Sequence, residues 1–240
     1  MTAKEHYDQH LGNFYVWMAG DFETKVEEQT AFFKVYQISP LSNRMAIDLG
    51  AGHGIQTVAL ARQGYKVTAI DFNKQLVSQL TINCQGLEVE IIEEDLRQIK
   101  ELANPSPELI VCWGDTLTHL QSHGEIVKFI CDCVEVLAPG GKLILSFRNY
   151  LHELVGDSRF IPVKSDHRRI LTGFLEYFPT HVRVTDLFYE LTEMEWIQKV
   201  SSYYKVRLDP EEVISLLKKY GLSIIFEGMG SGLFTIIALK

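Results

Sequence analysis

Short apolar runs alternate along this chain with longer windows in which apolar residues recur at helical spacing. Met45–Leu49, Lys66–Ile70, Val89–Ile92, Leu109–Trp113 and Lys142–Phe147 are compact runs rich in Val, Ile and Leu, the pattern of buried strands. Helical windows separate them. One covers Ile55–Gln63 and stops at Gly64, a residue suited to a left-handed cap; another covers Lys74–Cys84. A third, Gly124–Leu137, carries Ile126, Val127, Ile130, Cys133, Val134 and Leu137 on one stripe. Strands separated by helices predict a parallel sheet with right-handed crossovers. Ahead of them, residues 1–40 hold His6, Tyr7, His10, Phe14, Tyr15, Trp17 and Met18, then an apolar series through Tyr36, and predict one or two helices. After Tyr150 the pattern changes. Arg168–Phe178, His181–Leu191 and Glu195–Arg207 are rich in β-branched and aromatic residues, with Pro179-Thr180 and Thr192-Glu193 as turns, and predict an antiparallel insertion. Asp209-Pro210-Glu211-Glu212 then opens a helix with Asp at the N-cap and Pro at the first turn; Val213, Leu216, Leu217 and Tyr220 form its apolar stripe, and Gly221 ends it. Leu222–Phe226 and Leu233–Leu239 read as a terminal hairpin completing the sheet.

The join between the first strand and its helix is Asp48-Leu49-Gly50-Ala51-Gly52-His53-Gly54: an acid, then glycines at alternate positions. Strand, glycine loop and helix begin a Rossmann-like sheet, and amides at the helix start face whatever lies on the loop. The predicted fold is therefore α/β: a Rossmann-like, doubly wound, mostly parallel seven-stranded sheet with its last strand antiparallel and a small antiparallel β insertion after strand five. Its expected parts are an N-terminal helical cap (1–40), a Rossmann-like domain (41–150 and 208–240) and an insertion (151–207) covering the substrate side. The dinucleotide fingerprint needs a small third residue, and Ile55 stands there; no phosphate-cradling G-x-x-x-x-G-K-[ST] motif occurs either. Asp48 would repel a pyrophosphate but suits a cationic ligand. Asp71, followed by Phe72, ends the second strand about 20 residues beyond the loop, where an acid accepts ribose hydroxyls. Plainer readings are a ligand-free glycine turn, a helix-capping Asp71 and a surface acid at Asp95.

On these residues the chain resembles the class I S-adenosylmethionine (SAM)-dependent methyltransferases, whose first motif reads like Asp48 to Gly54. The resemblance implies SAM as cofactor and S-adenosylhomocysteine as product. It implies cofactor contacts from Asp48, Gly50, Ala51, Gly52, Gly54, Asp71 and Phe72, with Asp95 on the adenine amino group and Leu96 beside its ring. Gly114-Asp115-Thr116-Leu117-Thr118-His119-Leu120 and Arg148-Asn149-Tyr150 are similar to segments of the glycine and sarcosine N-methyltransferases, which read G-N-S-F-A-H-L and R-N-Y-D. Trp17 to Lys25 is also similar, with Lys25 where that group has an arginine facing the methionine carboxylate. By that likeness Trp17, Lys25, Trp113 and Gly114 join the cofactor set; the aromatic segment around Tyr15 and Trp17 itself reads either as an amphipathic helix packed on the sheet or as a lid whose rings attract the sulfonium. Departures are Asp115 for the Asn, Leu151 for the Asp after Tyr150, and a different insertion.

His119, Arg148 and Tyr150 are the expected acceptor-side residues. His119 is either a base, a cofactor contact or a helix-capping histidine; Arg148 either grips a substrate carboxylate bidentately or forms a structural ion pair. The expected activity is methyl transfer to a small molecule, with an amine of a carboxylate-bearing metabolite as one candidate. A SAM-sensing module would use the same cofactor residues, and a nicotinamide oxidoreductase would rest on Asp71 alone.

Composition narrows the partners. The chain has 240 residues, 46% hydrophobic and 22% charged, enough for one sizeable core. A net charge of -8 argues against nucleic acid, as does the absence of [DN]-P-P-[FYW] and Pro-Cys motifs. The basic group Lys164, His167, Arg168 and Arg169 reads as a solvated loop. Cys84, Cys112, Cys131 and Cys133 form no C-x-x-C pair and predict free thiols in a reducing cytoplasm, the last three in apolar stretches. Met1–Gly12 lacks a signal core, no run reaches membrane-span length, and the histidines show no metal-ligand spacing, so no membrane and no metal are expected.

Overall fold

The computed structural model describes residues 1–103 and 106–240. Three helices come first: α1 (Ala3–Gln9), α2 (Tyr15–Ala19) and α3 (Phe22–Val35). The alternating part follows as β1 (Met45–Leu49), α4 (Ile55–Arg62), β2 (Lys66–Asp71), α5 (Lys74–Asn83), β3 (Val89–Glu93), α6 (Ile99–Leu102), β4 (Leu109–Cys112), α7 (His123–Val136) and β5 (Lys142–Phe147). Next come β6 (Phe160–Ser165), β7 (Arg169–Tyr177), β8 (His181–Leu191), β9 (Trp196–Val206), α8 (Pro210–Lys219), β10 (Ser223–Gly230) and β11 (Leu233–Leu239).

The main sheet runs β10-β11-β5-β4-β1-β2-β3, and β11 alone is antiparallel to both its neighbours. Order reverses between β1 and β4, the switch point beside which ligands bind in such sheets. Local chemistry explains the helix starts. Asn73, Ser122 and Asp209 each cap α5, α7 and α8 through a side-chain oxygen on a first-turn amide. Helix α7 buries Ile126, Phe129, Ile130, Cys133 and Val134 against one face of the sheet, whereas Val127, expected in that stripe, is 41% exposed. The other face packs on α3 and α4 through Val26, Phe33, Val58 and Leu60.

A second sheet, β6-β7-β8-β9, is antiparallel throughout. The expected insertion lacked β6, whose side chains are mostly exposed and give no alternating signal. Leu171, Leu175, Val182, Val184, Phe188 and Tyr203 form its buried side. Tyr150 packs against one part of that side, and Leu11 and Phe14 against another, with Phe14 stacked on Phe188 at 4.1 Å.

Gly54 shows what the glycine loop requires. Its φ is 102°, and a Cβ there would lie 2.6 Å from Leu80 Cδ1 on α5. Gly54→Ala should cost on the order of 2–4 kcal/mol, combining left-handed strain with overpacking. Gly86→Ala, also at positive φ but in open space, should cost only about 1 kcal/mol. Urea midpoints of the two variants measure the difference.

Candidate active site

A cavity of about 290 Å³ lies at the carboxyl ends of β1, β2, β3 and β4. Its floor is Gly50 and Gly52 after β1, then Ile70, Asp71 and Phe72 at the end of β2. Asp95 and Leu96 after β3 form one wall, and Thr116 and His119 after β4 the other. The N-terminal segment roofs it with Thr2, Ala3, Lys4, Tyr7 and Tyr15. Tyr15 belongs to the N-terminal aromatic segment expected as a lid, whereas Tyr7, also aromatic, carried no individual role in that expectation.

The glycine loop is pinned to β2. Gly50 N and Ala51 N donate to Ile70 O at 2.9 and 3.0 Å, Gly52 N donates to Asp71 Oδ2 at 2.8 Å, and Gly54 N donates to Ala51 O. These amides therefore shape the loop and are not free for a ligand. A Cβ on Gly50 would collide with Thr116, so glycine there lets the ends of β1 and β4 approach. Ala51 and Gly54 do not line the cavity; Gly54 opens α4 instead.

Asp71 is buried at the cavity floor. Its Oδ1 accepts from Asn73 N at 2.9 Å and its Oδ2 from Gly52 N, leaving each oxygen with acceptor capacity. Burial pushes its pKa up, more than those two amides bring it down. Asp48 is different. It is 1% exposed, accepts from Thr57 Oγ1 at 2.6 Å, and burial pushes it up to about 7. It does not line the cavity, so it holds α4 to β1 and is not a direct counterion. Asp95 caps the turn after it through Arg97 N and pairs with the Arg97 guanidinium at 2.6 Å. Burial raises its pKa, and the Arg97 bonds bring it below the usual range.

Four expected cofactor contacts lie elsewhere. Trp17 Nε1 donates to Asp166 Oδ2 at 2.6 Å, and its ring meets Phe188, so Trp17 joins the helical cap to the second sheet. Lys25 pairs with Glu28 on the exposed side of α3. Trp113 packs against Phe32 and Phe33 of α3. Gly114 N donates to Ser146 Oγ at 2.7 Å.

Beside the cavity, Asp115 collects donors from three parts of the chain. Tyr150 Oη donates at 2.7 Å, Lys205 Nζ at 2.5 Å, Arg148 N at 2.9 Å and Thr118 Oγ1 at 2.9 Å. Burial, the largest single influence, would raise the Asp115 pKa; the Lys205 ammonium, His119 and the hydrogen bonds from Lys205 and Arg148 N together outweigh it and hold the carboxylate below its usual range. The Arg148 side chain does not enter this arrangement as expected. It is 52% exposed, its Nε is 4.0 Å from Asp115 Oδ2, and its Nη1 lies against Gly232 in the β10–β11 turn. Lys205 was missed by the sequence reading. Its signal was available: on β9 the inward positions are Ser201, Tyr203 and Lys205, and a lysine on a buried face demands a partner.

His119 stacks on Tyr203 at 5.5 Å and meets Tyr7 edge-on at 5.7 Å. Its Nδ1 is buried and has no hydrogen-bond partner among the described residues. Burial and the nearby Lys205 charge push its pKa down to about 3, so the imidazole is neutral near pH 7. It is a hydrogen-bonding group and a weak base. The roof is anchored by His6, fully buried, with Nδ1 2.8 Å from Ser201 Oγ, Nε2 3.2 Å from Asp186, and its ring stacked on Tyr203 at 4.0 Å.

Comparison with known proteins agrees with this geometry. Residues 46–141 match the family described as a methyltransferase domain. A ubiquinone biosynthesis O-methyltransferase from Coxiella burnetii is 29% identical over 130 residues, 48% of this chain and 50% of that protein. A glycine/sarcosine/dimethylglycine N-methyltransferase from Actinopolyspora halophila is 25% identical over 133 residues, 54% of this chain and 23% of that protein. The match thus spans half or less of the length of these curated relatives. Among solved structures, the CcbJ methyltransferase from Streptomyces caelestis superposes with a TM-score of 0.79 at 15% identity, covering 97% of this chain and 96% of that one. A SAM-bound amino pentose methyltransferase from Micromonospora echinaspora gives 0.75 at 14% identity, covering 94% of each chain. The matched segment is thus similar to a methyltransferase domain, and the fold is that of solved SAM-dependent methyltransferases. SAM is the cofactor of that class. No helix among the described residues is long and apolar enough to cross a membrane.

Two outcomes test this electrostatic reading. Lys205→Met should cost about 3–5 kcal/mol by stranding the Asp115 carboxylate, and adding Asp115→Asn should recover much of that loss; denaturant titration of a double-mutant cycle reads it. For Asp48 the folded pKa lies above the unfolded one. Its contribution is complete below about pH 4 and is lost as pH rises to about 7. Asp48→Asn, which keeps the Thr57 partner, should therefore gain stability relative to the native protein across that window, measured by melting at successive pH values.

Proposed function

We propose that this protein transfers a methyl group from SAM to a small-molecule acceptor. The observation that carries this reading is the roofed cavity at the switch point, where Asp71 keeps unfilled acceptor capacity beside two glycines. The donor set fits the cofactor. The Asp71 oxygens would take ribose hydroxyls, while Ile70, Phe72 and Leu96 offer apolar walls to the adenine, with Asp95 at their rim. When bound, SAM supplies a methyl on a sulfonium, and the C–S electron pair returns to sulfur as an acceptor lone pair takes the methyl.

The chain's own contribution is positioning. Tyr7, Tyr15 and α1 exclude water from the cavity, and the second sheet, within the proposed 151–207 cover, closes the side beyond His119. Orientation of this kind is worth roughly 7–11 kcal/mol in favourable systems. No strong base is needed beside an activated donor, and neutral His119 serves as a hydrogen-bonding group. Relatives carry names of both O- and N-methyltransferases. An amine acceptor draws support from the likeness of Gly114–Leu120 and Arg148–Tyr150 to N-methyltransferases, but the carboxylate grip once expected of Arg148 does not, given where its guanidinium lies. A reducing, cytoplasmic setting is supported by free Cys84, Cys112 and Cys133 in the core, although Cys131 is only partly buried.

Calorimetric titration with S-adenosylhomocysteine should give saturable binding. Asp71→Asn should weaken it about 10- to 100-fold, the loss of hydrogen bonds to a charged acceptor, while Lys25→Ala and Trp113→Phe leave it unchanged. Labelled SAM and a panel of small acceptors then separate an enzyme from a sensor. Absence of S-adenosylhomocysteine binding, or tighter binding of NAD, overturns the proposal.

A further inference from the structure

A second cavity, of about 450 Å³, adjoins the first. Thr2, Ala3, His119, Leu120 and Gln121 line both, so His119 stands at their junction. The walls peculiar to the second cavity come largely from the second sheet: Phe178, His181 and Tyr204. Their rings surround one space, with Phe178 and Tyr204 centroids 6.0 Å apart and His181 and Tyr204 6.4 Å apart. Phe178 is 42% and Tyr204 47% exposed, large aromatic surfaces for which the fold itself supplies no cover.

Most polar groups around this space are already satisfied. His181 Nδ1 bonds Thr180 Oγ1 at 2.8 Å and its Nε2 bonds Gln121 O at 3.1 Å, so that imidazole offers the cavity only its ring. Thr2 and Glu5 satisfy each other in the cap of α1. Of the groups that line the cavity, His119 Nδ1 alone is a buried side-chain polar atom without a partner among the described residues. A buried nitrogen left unpaired is costly, and a ligand can supply what it lacks.

We propose that this second cavity binds the methyl acceptor, and that the acceptor presents a flat, uncharged aromatic ring to Phe178 and Tyr204 and a ring hydroxyl to the His119 imidazole. The inference rests on the reading of the first cavity as the SAM site. The ring is assigned from the aromatic walls. Absence of net charge follows from Glu5, the one carboxylate lining the space, which opposes an anion, and from the positive N-terminus near it, which weakens its pull on a cation. A hydroxyl suits either tautomer of the neutral imidazole, because it can donate or accept.

The test compares p-cresol with toluene, which differ by that hydroxyl, titrated by NMR into the protein with and without saturating S-adenosylhomocysteine. In the native protein p-cresol should bind about tenfold more tightly, the upper range for one hydrogen bond. In His119→Phe, which keeps a ring against Tyr203, the preference should fall to near one. Phe178→Ala should weaken both ligands several-fold while S-adenosylhomocysteine affinity stays constant, and it stands in if His119→Phe fails to fold. Equal affinity for the two ligands in the native protein, a hydroxyl preference that survives His119→Phe, or indifference to Phe178→Ala overturns the assignment. Failure of S-adenosylhomocysteine to bind would instead strike the first cavity, with the p-cresol comparison still judging the second.

Discussion

The Asp115 carboxylate is the constraint on which the site depends. A charge taken out of water must be matched by donors, or the group is expelled or neutralised. Its donors come from its own turn (Thr118), from the segment after β5 (Arg148 N and Tyr150) and from β9 (Lys205). Satisfying one carboxylate therefore fixes the second sheet against the carboxyl ends of β4 and β5. Two residues before Lys205, on the same face, Tyr203 stacks on His119 on one side and on His6 on the other. His6 in turn holds α1, which roofs the cavity. The position of the roof thus follows from the seating of β9.

Much of the fold was legible because it rests on local rules. Leu109–Cys112 is a buried strand since nothing in it is polar, and α8 begins at Asp209-Pro210 since that pair satisfies one amide and removes another. β6 was not legible, because an exposed edge strand with Phe160, Ile161 and Val163 facing outward has no buried side to impose alternation. Register lies beyond local rules altogether. Trp17, Lys25, Trp113 and Arg148 sit in segments that resemble those of known enzymes, yet each side chain is claimed by a neighbour remote in sequence or by a helix face: Asp166, Glu28, Phe32 and the Gly232 turn. Lys205 shows the converse. The alternation of β9 was readable, but its meaning needed the opposing acid, which lies 90 residues away.

Four acids follow or end the first four strands of the main sheet: Asp48, Asp71, Asp95 and Asp115. In sequence they look alike, and environment separates them. Asp48 is sealed under α4 with a hydroxyl partner, where burial favours the neutral form. Asp95 is answered by Arg97, and Asp115 by Lys205. Asp71 is hydrogen-bonded, among the described residues, by backbone amides, which orient its oxygens, while the Lys4 charge acts on it only through space. Of the four it alone lines the cavity with no cation bonded to it and with lone pairs to spare. An uncompensated buried carboxylate is unfavourable in the free protein, and hydroxyl donors from a ligand would relieve that cost. The selectivity of the cavity for a polyhydroxylated ligand thus comes from what the fold withholds from Asp71, while the same fold supplies a partner to each of the other three acids.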